Sequence, residues 1–235
     1  MQFEIKASTD ISREDLRRVL IFRCADKLVP EDVLRQIYEE GLYDTDWELK
    51  NLSLERLREV VISLLKPSRV AHVMGCCETA VKMAERWGAD ATDAARAALL
   101  HDVTKALDGP LQLTLCESYG IILDQFSAKN TKTLHALTGS LVAERIFGEN
   151  VAVVQAIRSH TTGKGNMNTL EKIIYVADYM EPNRDFPGVE KLRRLAFTDL
   201  DKALKLGLEM TLAMLKEQGR EISPETQQAL MYLES

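Results

Sequence analysis

At 235 residues, 46% hydrophobic and 28% charged, the chain has the makeup of a globular protein with room for one sizeable domain, or for one domain plus an appendage. Thirty basic against 36 acidic side chains give a net charge of −6, which argues against nucleic acid as the main partner but permits a local cationic pocket for a small phosphorylated ligand. No stretch approaches the ~18 uncharged apolar residues of a membrane helix, the start carries no signal-peptide pattern, and Cys24, Cys76, Cys77 and Cys116 lack CxxC spacing. The expectation is a cytoplasmic protein with no membrane partner and reduced, buried thiols.

Along the chain, Gln2 to Lys6 alternates like a strand, with no second strand evident to pair with it. Two short helices follow, about Arg13 to Leu20 and Pro30 to Glu40, the second stopped by Gly41, and Asp44-Thr45-Asp46 reads as a linker. Helical periodicity dominates afterwards. One helix starts near Ser68, a candidate N-cap, and stops at Gly88, with Arg69, His72, Cys76, Ala80 and Met83 on one face. Further helices are predicted over about Thr92 to Ala106, Thr131 to Phe147, Asn150 to His160, and Asn168 to Tyr179, where Glu171 occupies the reciprocal capping position. Two more run from Asp199 to Gln218 and from Ser223-Pro224-Glu225 onward. This divides the chain into an appendage at 1–50 (a short strand plus two helices) and an all-α domain at 51–235.

The chemistry-bearing residues cluster by type rather than by sequence. His72, His101, His135 and His160 are the only histidines, and each falls on or at the end of a predicted helix. His101 is followed directly by Asp102, and Asp178 lies four residues after Ile174, on the stripe that should face the core. A buried, unpaired carboxylate there is costly, and a bound cation is one remedy. Imidazole nitrogen and carboxylate oxygen together suit iron, manganese, cobalt or zinc. Such a site leaves positions open for water and phosphate oxygens, whereas a closed structural zinc site would want cysteine. Lys105 lies three residues after Asp102, Arg69 three before His72, and Arg184 six after Asp178. Gly139, four residues after His135, would let a ligand approach that helix, and His160-Thr161-Thr162-Gly163 offers a ring and hydroxyls at a helix end.

The ordered set resembles the HD superfamily of metal-dependent phosphohydrolases: Arg69-Val70-Ala71-His72, then Leu99-Leu100-His101-Asp102-Val103-Thr104-Lys105, His135 with Gly139, Ser159 to Gly163, and Tyr175-Val176-Ala177-Asp178-Tyr179-Met180-Glu181-Pro182-Asn183-Arg184. Within that superfamily it is similar to the bacterial symmetrical diadenosine tetraphosphate hydrolases of the YqeK family, over about residues 55 to 233. The resemblance implies a helical HD-domain bundle and a divalent metal, usually iron, held by His72, His101, Asp102 and Asp178. It implies nucleotide contacts from Arg69, His72, Asp102, Lys105, His135, His160, Thr161, Asp178 and Arg184, and catalytic roles for Asp102 and Lys105. The implied reaction is cleavage of diadenosine tetraphosphate to two ADP. Ser223 departs from the family, which has a histidine before the proline of the late motif, and weakens the expected nucleotide contact from that loop. The first 43 residues instead resemble the C-terminal end of nicotinate-nucleotide adenylyltransferases, through Ile11-Ser12-Arg13-Glu14-Asp15-Leu16-Arg17 and Leu28 to Tyr43, without that family's nucleotide-binding motif. Glu14 stands where a threonine is expected.

Two further readings share these ligands: another HD-type nucleotide phosphatase or nucleoside-triphosphate hydrolase, and a nucleotide-binding sensor that turns over poorly. Reaction products separate them. Metal identity and number stay open at this level, as does a homodimeric state.

Overall fold

The structure, a computed structural model, describes residues 11–234. The strand expected at Gln2 to Lys6 lies outside them, and among the described residues every regular element is helical. In chain order these are α1 (Arg13–Ile21), α2 (Glu31–Glu39), a 3-10 turn (Leu42–Asp44), α3 (Leu54–Leu64), α4 (Pro67–Trp87), α5 (Ala91–Leu100), α6 (Gly109–Ser118) and α7 (Gln125–Lys129). A second 3-10 turn (Thr131–Thr133) leads into α8 (Leu134–Arg145), followed by α9 (Val151–Ser159), α10 (Thr169–Met180), α11 (Val189–Ala196), α12 (Leu200–Glu217) and α13 (Pro224–Glu234).

Local chemistry sets most boundaries. Asp90, Asn150 and Asp199 each accept a hydrogen bond from the backbone N–H three residues on, capping α5, α9 and α12. Asn168 and Glu171 form the expected reciprocal pair at the start of α10. Gly88 closes α4 in the left-handed conformation at φ 70°. Ser68 is not the cap of that helix: α4 already begins at Pro67, whose fixed φ suits the first helical position.

Several predicted spans were too long or absent. The helix expected over Thr92 to Ala106 ends at Leu100, and residues 101 to 107 continue as tight turns. In them Val103 N–H bonds Leu100 O at 3.0 Å, Lys105 N–H bonds Asp102 O at 2.9 Å, and Leu107 N–H bonds Thr104 O at 3.1 Å. The expected helix over Thr131 to Phe147 begins as a 3-10 turn and is α-helical only from Leu134. Helices α3, α6, α7 and α11 carried no separate prediction. Asp108 caps α6, and Pro110 sits in its first turn, where its missing N–H costs no helical hydrogen bond.

Helix α5 is the centre of the bundle, packed on α3, α4, α8, α9 and α10. Its alanines make that position tenable: Ala94, Ala95, Ala97 and Ala98 are at most 1% exposed, so neighbouring helices approach on several sides. The apolar core is continuous from α1 through α12 and includes Val19, Leu20 and Phe22 of the first segment. That segment also ends α3: Arg18 donates from Nε to Leu64 O at 2.7 Å, and Arg17 donates to Ser63 O at 3.0 Å. Tyr119 of the loop after α6 donates its hydroxyl to Phe22 O at 2.6 Å. The residues read as a linker form a turn, with Asp44 accepting from Arg17 and the Thr45 hydroxyl donating to Leu42 O at 2.8 Å. All four cysteines are free and buried. No helix among the described residues is long and apolar enough to cross a membrane.

Candidate metal centre

Five helices bring the four histidines and Asp178 to one place. His72 projects from the second turn of α4, His135 from the first turn of α8 and Asp178 from near the end of α10. His101 and His160 are the residues that end α5 and α9, and both use the same device. Each ring bonds through Nδ1 to the carbonyl three residues earlier, Ala98 and Ile157, at 2.6 Å. His135 Nδ1 faces Lys132 O at 2.9 Å, and His72 Nδ1 faces the Glu181 carboxylate at 3.1 Å. Carbonyl and carboxylate oxygens only accept, so each Nδ1 carries its proton and each Nε2 points into the shared space.

That space is crowded with acceptors. His72 Nε2 lies 3.4 Å from His101 Nε2, and His135 Nε2 lies 3.1 Å from His160 Nε2. Asp178 Oδ1 is 3.0 Å from His72 Nε2 and 3.8 Å from His101 Nε2. Asp102 Oδ2 is 3.5 Å from His101 Nε2 and 3.7 Å from His72 Nε2, while its Oδ1 faces His135 and His160 at 3.5 and 3.9 Å. Lone pairs of imidazole and carboxylate at these separations repel unless protons or a metal cation lie between them. The donor set fits a divalent metal. His72, His101 and Asp102 form one group able to hold an ion, as do His101, His160 and Asp178, and Asp102, His135 and His160.

The electrostatics follow from burial and crowding. Burial, then the neighbouring His101 charge, pushes the His160 imidazole down to about 4. Burial, reinforced by Lys105 and His160, holds His135 well below its ordinary value. For Asp102 burial acts upward, but His101, Lys105 and His135 outweigh it and keep the carboxyl well below the usual carboxylate range. Asp178 behaves likewise: the hydrogen bond with His72 and the charges of His101, His160 and Arg184 overcome burial. Burial also lowers Lys105 from the ordinary lysine value.

Three cations and a hydroxyl line the rim. Arg69 pairs with Asp102, and its Nε is buried with no hydrogen-bond partner. Lys105 Nζ lies 2.7 Å from His135 Nε2 and 3.8 Å from Asp102 Oδ1, although it stands on a turn and not on the expected helix. Arg184 donates to Asp178 Oδ1 at 2.9 Å. The Thr161 hydroxyl is 3.1 Å from Nε2 of both His135 and His160. All ten residues singled out in the sequence therefore meet in one cleft. Beside it, Lys105, His135 and Thr161 form one end of a cavity of about 560 Å³ that reaches Phe126, Met214 and Arg220. Ser223 lines the same cavity, and its hydroxyl accepts from Glu225 N at 3.2 Å.

One positional argument is corrected. A Cβ on Gly139 would meet His101 O at 3.3 Å and Ile157 Cγ2 at 3.5 Å. The glycine admits the His101 turn against α8 rather than a ligand. Glu181 and Gln112 were missed. Gln112 is 2% exposed, donates to Thr104 O at 2.7 Å and accepts from Thr138 at 2.6 Å, so it braces the turn that carries Asp102 and Lys105. Nothing in the one-dimensional pattern marks it, because its partners lie up to 26 residues away.

Residues 69–183 match the HD domain. The chain is 41% identical over 179 residues to the "Bis(5'-nucleosyl)-tetraphosphatase, symmetrical" of Halalkalibacterium halodurans, covering 72% of this chain and 92% of that protein. A crystal structure of a predicted HD superfamily hydrolase involved in NAD metabolism from Clostridium acetobutylicum shares the fold at a TM-score of 0.75 and 36% identity, covering 77% of this chain and 97% of that one. A protein of Mycoplasma genitalium named "Probable nicotinate-nucleotide adenylyltransferase/Ap4A hydrolase" aligns at 25% identity with 92% of this chain and 59% of its own length. With this site and these relatives, the chain belongs to the HD-domain family of symmetrical bis(5'-nucleosyl)-tetraphosphatases.

Proposed function

We propose that this protein hydrolyses diadenosine tetraphosphate at its centre, giving two ADP, with a divalent metal, iron, held by His72, His101, Asp102 and Asp178. The observation that carries the reading is the convergence of four imidazole Nε2 atoms on two carboxylates at the mouth of the cavity. Its support from relatives is the 41% identity to a symmetrical tetraphosphatase across nearly that protein's full length. Residues 51–235 form the catalytic unit in this reading, and 1–50 an appendage that contributes no ligand.

When bound, the metal supplies a low-pKa water and screens phosphoryl charge. Asp102, held ionised, accepts a hydrogen bond from the attacking water and orients it, and the proton that water loses passes to bulk water. The new bond joins water oxygen to one of the two central phosphorus atoms, and the bond between that phosphorus and the bridging oxygen breaks. The electron pair leaves with ADP as a phosphate oxyanion. Arg69, Lys105 and Arg184 place fixed positive charge along the phosphate chain, with His135, His160 and Thr161 as further contacts; charge-assisted bonds from positioned groups stabilise the leaving oxyanion without reorganisation. The cavity beyond Lys105 takes a nucleoside end.

Chromatography of diadenosine tetraphosphate incubated with metal-loaded protein tests this. ADP as the sole nucleotide product is expected. ATP plus AMP would reject the symmetrical cut, and faster release of adenosine from AMP would transfer the assignment to a monophosphatase.

A further inference from the structure

We propose that Glu181 is a positioning residue for the metal centre: its buried carboxylate fixes His72 with the proton on Nδ1, so that Nε2 faces the cluster. The inference rests on the metal reading above and adds to it a group that touches neither metal nor substrate. Glu181 is 1% exposed, and its Oε1 lies 3.1 Å from His72 Nδ1. The other three histidines are oriented by neutral backbone carbonyls, within their own helix for His101 and His160. His72 stands in the second turn of α4, and its Nδ1 finds its acceptor on another element, the Glu181 carboxylate that follows α10. A carboxylate behind a ligating imidazole fixes the tautomer and raises the basicity of the outward nitrogen.

The surroundings are built for that carboxylate. Its Oε2 accepts from Asn183 N at 2.7 Å and from Asn183 Nδ2 at 2.8 Å. Asn183 Nδ2 also donates to Ala71 O at 3.1 Å, tying the loop to the helix that carries His72. Arg193 holds the loop from the other side, donating to the carbonyls of Met180, Glu181 and Arg184 at 3.0, 2.9 and 2.8 Å. An independent observation comes from α4. Gly75, one turn after His72, stands mid-helix, where glycine is unfavourable relative to alanine. A Cβ there would meet Glu181 Oε2 at 2.5 Å and Asn183 Nδ2 at 3.0 Å. The space that alanine would fill is the space the carboxylate occupies.

The test measures the affinity of the full chain for Mn2+ by competition with a chromophoric chelator, alongside melting temperature. Glu181→Ala is expected to weaken binding about 10- to 100-fold. Glu181→Gln, which retains an oxygen acceptor without charge, should recover part of that loss. Gly75→Ala should weaken binding alone, but add nothing in the Glu181→Ala background, because the clash has gone. Glu149→Gln serves as the stability control, since Glu149 pairs with Arg96 at 2.7 Å away from the cluster. Binding in both Glu181 variants within about twofold of wild type would overturn the proposal, and so would equal weakening in Glu149→Gln. A wild-type chain that binds no metal would instead bring down the metal reading itself, together with this inference.

Discussion

The segment from Arg13 to Thr45 and the cleft around Asp102 belong to one molecule but are stabilised on opposite terms. The segment buries Val19, Leu20, Ile21 and Phe22 and pairs its buried polar groups, as Arg18 does with Leu64 O. The cleft packs four imidazoles, two carboxylates and three cations into a space where each charge depends on another. Apolar burial in the first tolerates change in proportion to the area lost. In the cleft, removing one charge leaves its partners uncompensated. Substitutions in the segment should therefore move stability and leave chemistry alone, and those in the cleft should do the reverse.

The sharpest break expected on the cleft side is at Asp102. Its two oxygens face different histidine pairs, so no neighbour substitutes for it. Asp102→Ala should abolish hydrolysis and lower metal content while far-UV circular dichroism stays helical. Near-normal turnover in a folded variant would sink the assignment. Next come Lys105→Ala and Arg184→Ala, which remove cations from the proposed phosphate path. Each should cost about 2–4 kcal/mol of transition-state stabilisation, roughly 30- to 1,000-fold in rate. Metal content should hold in both, since neither is a ligand in the proposed site; metal loss equal to that of Asp102→Ala would contradict the distinction.

The contrast also explains what could be read in one dimension. The convergence of histidines and carboxylates was legible because histidine is rare here and a carboxylate on an apolar stripe has few uses, as with Asp178. The helices α9 and α10 were legible from their caps, and α4 from its periodicity and the Gly88 stop. The turn at 101 to 107 was not, since alanine and leucine continue a helical pattern up to Leu100 and the cause of the stop lies elsewhere. Gln112 and Thr138 bond to that turn from other helices. Glu181 stood in the recognised string, but its partner His72 lies 109 residues away. Packing across helices is what sequence periodicity leaves out.

Acid should separate the two regions next. The folded chain keeps the His160 imidazole at about 4, whereas the unfolded chain protonates it near the ordinary histidine value of about 6.5. A depressed folded value means the stability present above pH ~6.5 is lost progressively as pH falls toward 4. Asp102 and Asp178, also depressed, remove further stability as pH drops through the normal carboxylate range. Urea unfolding of chelator-treated protein should give midpoints that fall between pH 7 and 4.5. Metal should blunt the loss, because it binds the deprotonated cluster. A flat midpoint over that interval would show that folding does not hold the His160 imidazole and the two carboxyls deprotonated.

The smallest effect belongs to the junction of the two regions, at Tyr119. Its hydroxyl donates to Phe22 O at 2.6 Å, and the side chain is 7% exposed. Tyr119→Phe keeps the ring and its packing while depriving a buried carbonyl of that donor. An unsatisfied buried acceptor costs about 1–3 kcal/mol. In a chain of this size that corresponds to a fall of a few degrees in Tm. Because the bond fastens the first segment and not the cleft, kcat and KM for diadenosine tetraphosphate should be unchanged at 25 °C. A loss of turnover matching the loss of stability would mean that the first segment holds the cleft in shape, and the division of labour drawn between the two regions would fail there.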